Sequence, residues 1–112
     1  MSTVPLEIDV HSVRALRDGA ADFLLLDCRE TEEWDTARID GATLIPMGDI
    51  PGRLAELEAY RARPIVVHCH HGGRSLQVAR WLRNQGFAST QNMTGGIDAW
   101  SLHIDPNVPR YD

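Results

Sequence analysis

Cysteine is scarce in this 112-residue chain: Cys28 and Cys69 are the only two. Two thiols cannot build a disulfide framework, so each needs a separate explanation. Long apolar runs are missing as well. No stretch approaches the ~20 apolar residues that cross a bilayer, and the first residues do not resemble a secretory leader. A cytoplasmic location is therefore expected. Positive charge is in deficit, with 11 Lys and Arg against 16 Asp and Glu for a net −5. That balance argues against nucleic acid or an anionic membrane as the main partner. Any capacity to bind an anion has to be local. Repeats, low-complexity tracts and internal linkers are also lacking, so one domain over residues 1–112 is expected, with 103–112 an extended tail stiffened by Pro106 and Pro109.

What is present alternates between two periodicities. "LEIDV" (Leu6 to Val10), "DFLLLD" (Asp22 to Asp27), "ATLIP", "PIVVHC" and "STQNM" have the short β-rich or apolar pattern of strands. Between them lie helical patterns. The first carries Val10, Val13 and Leu16, with Gly19 as its stop. "ETEEW" reads as a short helix. "GDIPGRLAELEAYR" reads as a longer one, with Leu54 and Leu57 inward and Asp49 as its cap. "RSLQVARWLRNQG" is the clearest, with Leu76, Ala79 and Leu82 as its apolar face and Gly86 at its end. "TGGIDAW" turns into a last helix. Strands alternating with helices predict an α/β fold: a mainly parallel five-stranded sheet with helices on both faces. Such sheets bind ligands beyond the carboxyl ends of their strands.

"CHHGGR" (Cys69 to Arg74) occupies that place, between "PIVVH" and the clearest helix. A loop entering a helix carries backbone N–H groups without helical partners, and the helix dipole adds partial positive charge. Gly72 and Gly73 let the chain turn so that consecutive amides aim at one point. Arg74 adds a full charge and a fork of donors. A favourable helix terminus contributes up to ~2 kcal/mol to an anion, which lowers a thiol pKa by roughly 1.5 units. Cys69 is therefore a candidate nucleophile, with His70, His71, Gly72, Gly73 and Arg74 as candidate substrate-binding residues.

Other readings stand beside this one. A cysteine after a buried strand can be a small core hydrophobe. His68, Cys69, His70 and His71 suggest a metal site, but adjacent side chains on a strand diverge and no second ligand cluster accompanies them, so no metal is expected. Phosphatase-type loops wrap phosphate with one more residue between Cys and Arg than the four here, and Ser75 stands where their Arg would be. Asp27 and Arg29 read as a buried structural pair. Cys28 and the three tryptophans, Trp34, Trp81 and Trp100, read as packing. Arg38 reads as a solvated surface residue rather than part of a cleft.

Four stretches together resemble the single-domain rhodanese family of sulfurtransferases: "LLLDCRETEEW", "RIDGATLIP", "CHHGGRS" and "NMTGGIDAW". The resemblance implies a persulfide relay. Cys69 takes a sulfane sulfur from a donor such as thiosulfate or a persulfide, then passes it to cyanide, a thiol or a protein. It implies no organic cofactor. It implies a small-molecule sulfur donor and a thiol acceptor as partners, with thioredoxin, glutathione and a sulfur-carrier protein among the acceptors. The end of the chain, "GGIDAWSLHIDPNVPRY", resembles rhodanese domains fused to enzymes that adenylate ubiquitin-like sulfur carriers. A non-catalytic binding module is the rival reading, and the retained cysteine speaks against it.

Overall fold

A computed structural model describes residues 4–112, so the first three positions of the expected domain lie outside the described residues. Five parallel strands form one sheet: β1 (Glu7–Ile8), β2 (Leu24–Asp27), β3 (Thr43–Leu44), β4 (Ile65–His68) and β5 (Thr90–Met93), in the order β1-β5-β4-β2-β3. Between and after them come α1 (Val10–Asp18), α2 (Thr31–Thr36), α3 (Gly73–Asn84) and α4 (Gly96–His103). This is the α/β architecture expected from the alternation. The register sets Leu24 to Asp27 of β2 against Ile65 to His68 of β4, and β4 in turn against Thr90 to Asn92 of β5. Every strand therefore ends on the same edge, which is where the loop after β4 begins.

The continuous apolar runs are explained by burial on both faces. Ile65, Val67 and then Cys69 face a cluster holding Leu26, Ile45, Leu57, Val78, Ala79, Leu82 and Phe87. Val66 faces the opposite cluster, with Val13, Leu25, Ile39, Met93, Ile97 and Trp100. α3 thus packs one face, and α1 with α4 packs the other. No helix among the described residues is long and apolar enough to cross a membrane.

Several local expectations are corrected. β1 is two residues long, because Asp9 caps α1 by accepting the Ser12 N–H at 2.7 Å and so draws Val10 into the helix. Gly19 does close α1 as expected, at φ −85°, and the left-handed backbone follows at Ala20, φ 54°. The segment Pro51–Tyr60 is 3-10 rather than α-helical, broken at Arg53, and Asp49 makes no cap to it. The buried face of α3 is Ser75, Val78, Ala79 and Leu82: Ala79 and Leu82 are buried as expected, whereas Leu76 is only partly covered and Ser75 and Val78 complete the face. The tail is not simply extended. Its Val108 is buried, the Ser101 hydroxyl donates to the Val108 carbonyl, and the chain returns towards the loop after β4.

Candidate active site

The loop begins where β4 runs out, and two helices determine its shape. Gly72, at φ +109°, starts α3 in a conformation that side chains rarely adopt. From the other side, the start of α4 grips the loop's carbonyls: Ile97 N–H donates to Cys69 O at 2.9 Å and Asp98 N–H to His70 O at 3.1 Å. Gly96, at φ +61°, makes this approach possible, because a Cβ there would collide with both carbonyl oxygens. "TGGIDAW" is thus the clamp on the loop. In a trans peptide C=O and the following N–H point in opposite directions. Tying the Cys69 and His70 carbonyls to α4 therefore turns the His70 and His71 N–H groups away from α4. Among the described residues, the N–H groups of His70, His71, Gly73 and Arg74 have no partner in the protein.

Cys69 Sγ lies at the receiving end of three donors. Gly72 N–H is at 3.1 Å, Ser75 N–H at 3.4 Å and Ser75 Oγ at 3.3 Å. The thiol is 1% exposed, and burial alone pushes it up; the Ser75 hydroxyl, the two N–H groups and the Arg74 charge outweigh burial and hold it below the ordinary thiol range. Cys28 is the contrast. It is equally buried but donates to the His68 carbonyl at 3.5 Å, and burial with the nearby Cys69 and Asp27 charges pushes it far up. Two buried cysteines have opposite character because only Cys69 receives the converging Gly72 and Ser75 donors.

Arg74 does not stand free as a fork for an incoming anion. Both terminal nitrogens are taken by the Glu33 carboxylate, at 2.6 and 2.9 Å, although Arg74 still contributes its charge near Cys69. Glu33 also accepts the Tyr111 hydroxyl at 2.7 Å, while Arg29 donates to the Tyr111 oxygen at 2.9 Å. These contacts, Arg74 first, hold the Glu33 carboxyl down to about 2 against the opposing effect of burial. Burial pushes the Tyr111 phenol up to about 12. Asp27 and Arg29 form the buried bidentate pair expected of them, both 0% exposed, with Arg29 also donating to Ala37 O.

The histidines separate. His68 is fully buried, both ring nitrogens lack a partner, and burial lowers it to about 4, so its 3.8 Å approach to Asp27 is no ion pair near neutrality. His70 and His71 stack at 3.9 Å, and His70 also stacks on Tyr111 at 4.0 Å. Off the strand they no longer diverge, and with Asp98 they bring donor atoms within 4.8 Å of one another. This corrects the expectation of divergence, although Arg110 already binds Asp98 at 2.9 Å. Arg38 is exposed and lies over the Trp34 ring at 5.1 Å. An apolar groove lined by Met47, Ile50, Pro51, Gln77, Val78 and Trp81 includes none of the loop residues.

Sequence reasoning missed Glu33, Ser75, Asn92 and Tyr111 as parts of this site. Ser75 directly follows the loop and the Tyr111 segment was noted for its resemblance, but nothing local in either says which side chain it meets.

The Rhodanese-like domain family model matches residues 9–103. A sulfurtransferase of Allochromatium vinosum is 36% identical over 102 residues, covering 91% of this chain and 94% of that protein. A chloroplastic Rhodanese-like/PpiC domain-containing protein of Arabidopsis thaliana is 42% identical over 90 residues, covering 78% of this chain and 30% of that one. An adenylyltransferase and sulfurtransferase of Zea mays is 31% identical over 109 residues, covering 93% of this chain and 23% of that one. The chain thus spans less than a third of the length of the two plant relatives. Among solved structures, a rhodanese-like domain protein from Staphylococcus aureus superposes with a TM-score of 0.81 at 25% identity, covering 96% of this chain and all of that one.

Proposed function

Because the chain belongs to the rhodanese-like sulfurtransferase family, we propose that Cys69 is the sulfur carrier of the transfer. The Cys69 thiolate attacks the outer sulfur of a sulfane donor. With thiosulfate as donor, Cys69–S⁻ and ⁻S–SO₃⁻ give Cys69–S–S⁻ and sulfite. The donor's S–S bond breaks with its electron pair leaving on sulfite, and charge is conserved. An acceptor thiolate then attacks the outer sulfur and regenerates Cys69–S⁻. The unpartnered N–H groups of His70, His71, Gly73 and Arg74 are suited to the charge on the outer sulfur, in the manner of an oxyanion hole.

The observation that carries this reading is the trio of donors on Cys69 Sγ, set against Cys28, whose Sγ donates to the His68 carbonyl. The similarity to a Bacillus subtilis protein named as a sulfur carrier, 34% identical over 100 residues, favours a sulfur-carrier protein as the acceptor.

Reduced protein incubated with thiosulfate, or with a small persulfide, is expected to gain one sulfur atom by intact mass. The added sulfur should be removed by cyanide or dithiothreitol, be absent in Cys69→Ser and persist in Cys28→Ser. Failure of every sulfane donor to load Cys69 would overturn the reading.

A further inference from the structure

Ser75 is buried at the start of α3, and its hydroxyl reaches two partners at once: Cys69 Sγ at 3.3 Å and the Oδ1 of Asn92. A hydroxyl has a single proton to donate. Which partner receives it follows from the rest of the network. The Asn92 amide nitrogen donates to the Glu7 carboxylate at 2.9 Å and to the Gly72 carbonyl at 3.2 Å. Both are acceptors, so the amide is held with its oxygen towards Ser75. Asn92 and Cys69 therefore compete for the same proton.

We propose that Ser75 is a catalytic residue whose hydroxyl switches between Asn92 and Cys69 as charge arrives at and leaves Sγ. This rests on Cys69 being the sulfur carrier. With Cys69 protonated, the S–H donates to Ser75 Oγ and the Ser75 proton is on Asn92. When the thiol gives its proton to solvent, the Ser75 O–H turns to Sγ and joins the Gly72 and Ser75 N–H groups on the thiolate. Formation of Cys69–S–S⁻ moves the charge to the outer sulfur, and the hydroxyl returns to Asn92. When an acceptor thiolate takes the outer sulfur, the electron pair of the broken S–S bond comes back to Sγ, and Ser75 donates to it again. The same hydroxyl thus favours Cys69 as nucleophile in the first half-reaction and as leaving group in the second. It needs no proton beyond its own.

The geometry predicts shifts of opposite sign from the two neighbours. Iodoacetamide alkylation of Cys69, followed by mass at that residue across pH, reads the thiol's midpoint without any sulfur transfer. Ser75→Ala is expected to raise the midpoint by about one unit or more, the worth of a hydrogen bond to a charged group. Asn92→Ala is expected to lower it, because the Ser75 proton is then uncontested. The double variant should match Ser75→Ala, and Ser75→Thr should restore the lowered midpoint of the unmodified protein. Protein preloaded with sulfur should discharge to a thiol roughly tenfold more slowly in Ser75→Ala. If Asn92→Ala fails to fold, the pair Ser75→Ala and Ser75→Thr decides. An unmoved midpoint in Ser75→Ala, or shifts of the same sign in both single variants, would overturn the proposal. The expected shifts in a protein that no donor loads would leave the Ser75–Cys69 coupling standing and overturn the transfer itself.

Discussion

At the scale of single residues, what matters is which charge is already satisfied. Arg74 lies in the first turn of α3 near Cys69, yet its fork is closed on Glu33, whose carboxylate is also bound by Tyr111. A small anion approaching Cys69 therefore meets a guanidinium that already has its counter-charge, which weakens the field a free cation would supply. Glu33→Gln keeps the shape and removes that charge. The rate ratio of iodoacetate to iodoacetamide at Cys69 is expected to rise by roughly fivefold to tenfold, since one reagent is anionic and the other neutral. Adding Arg74→Gln should abolish the gain. Equal changes with both reagents would show that Glu33 only shapes the loop.

At the scale of elements, the loop is formed where two helix N-termini meet, and glycine is what lets them meet. A Cβ on Gly96 would strike the carbonyls of Cys69 and His70, whereas a Cβ on Gly73 meets nothing within 4 Å. Gly96→Ala forces either an unfavourable left-handed alanine or a displaced loop, for an expected loss of about 2–5 kcal/mol in urea unfolding. Its Cys69 should also react with a shifted pH midpoint, because Gly72 and Ser75 no longer converge on sulfur. Gly73→Ala should be near neutral in the same assay. The chain pattern made the helix after Cys69 legible, since Gly-Gly followed by a 3.6-residue stripe says where it starts. It marks Ala79 and Leu82 of the buried face but takes Leu76 where Ser75 and Val78 are the residues covered. Ser75 is polar and was not counted towards the core, although hydrogen bonds to Cys69 and Asn92 are what permit its burial.

At the scale of the whole molecule, the sheet buries a histidine that stays neutral near pH 7. His68 is fully covered, and desolvation lowers it to about 4 from an ordinary 6.5, despite the opposing pull of Asp27. The folded state therefore binds fewer protons than the unfolded state between those two pH values. Stability from this group is whole above about pH 6.5 and is lost as pH falls through 4, in total about 3 kcal/mol. Urea unfolding followed from pH 7 to pH 4 should show that decline, and His68→Leu should flatten most of it. Glu33 acts in a lower window: its carboxyl is held down from 4.5 to about 2, so its contribution is whole above about pH 4.5 and is lost progressively as pH falls from there to about 2.

Alternating apolar and helical periods along the chain were enough to determine an α/β sheet, a cysteine at the carboxyl edge of a buried strand and a glycine turn feeding a helix. These features are encoded between near neighbours, where covalent geometry and local hydrogen bonding settle the outcome. The partners of that cysteine were decided only by the fold. Glu33 and Tyr111 meet across 78 residues, and Ser75 and Asn92 across 17. Periodicity says which face of an element is covered; it does not say which side chain of another element covers it. Parallel crossovers bring β1, β5 and the two helix N-termini to a common edge, and only there do these polar groups find one another.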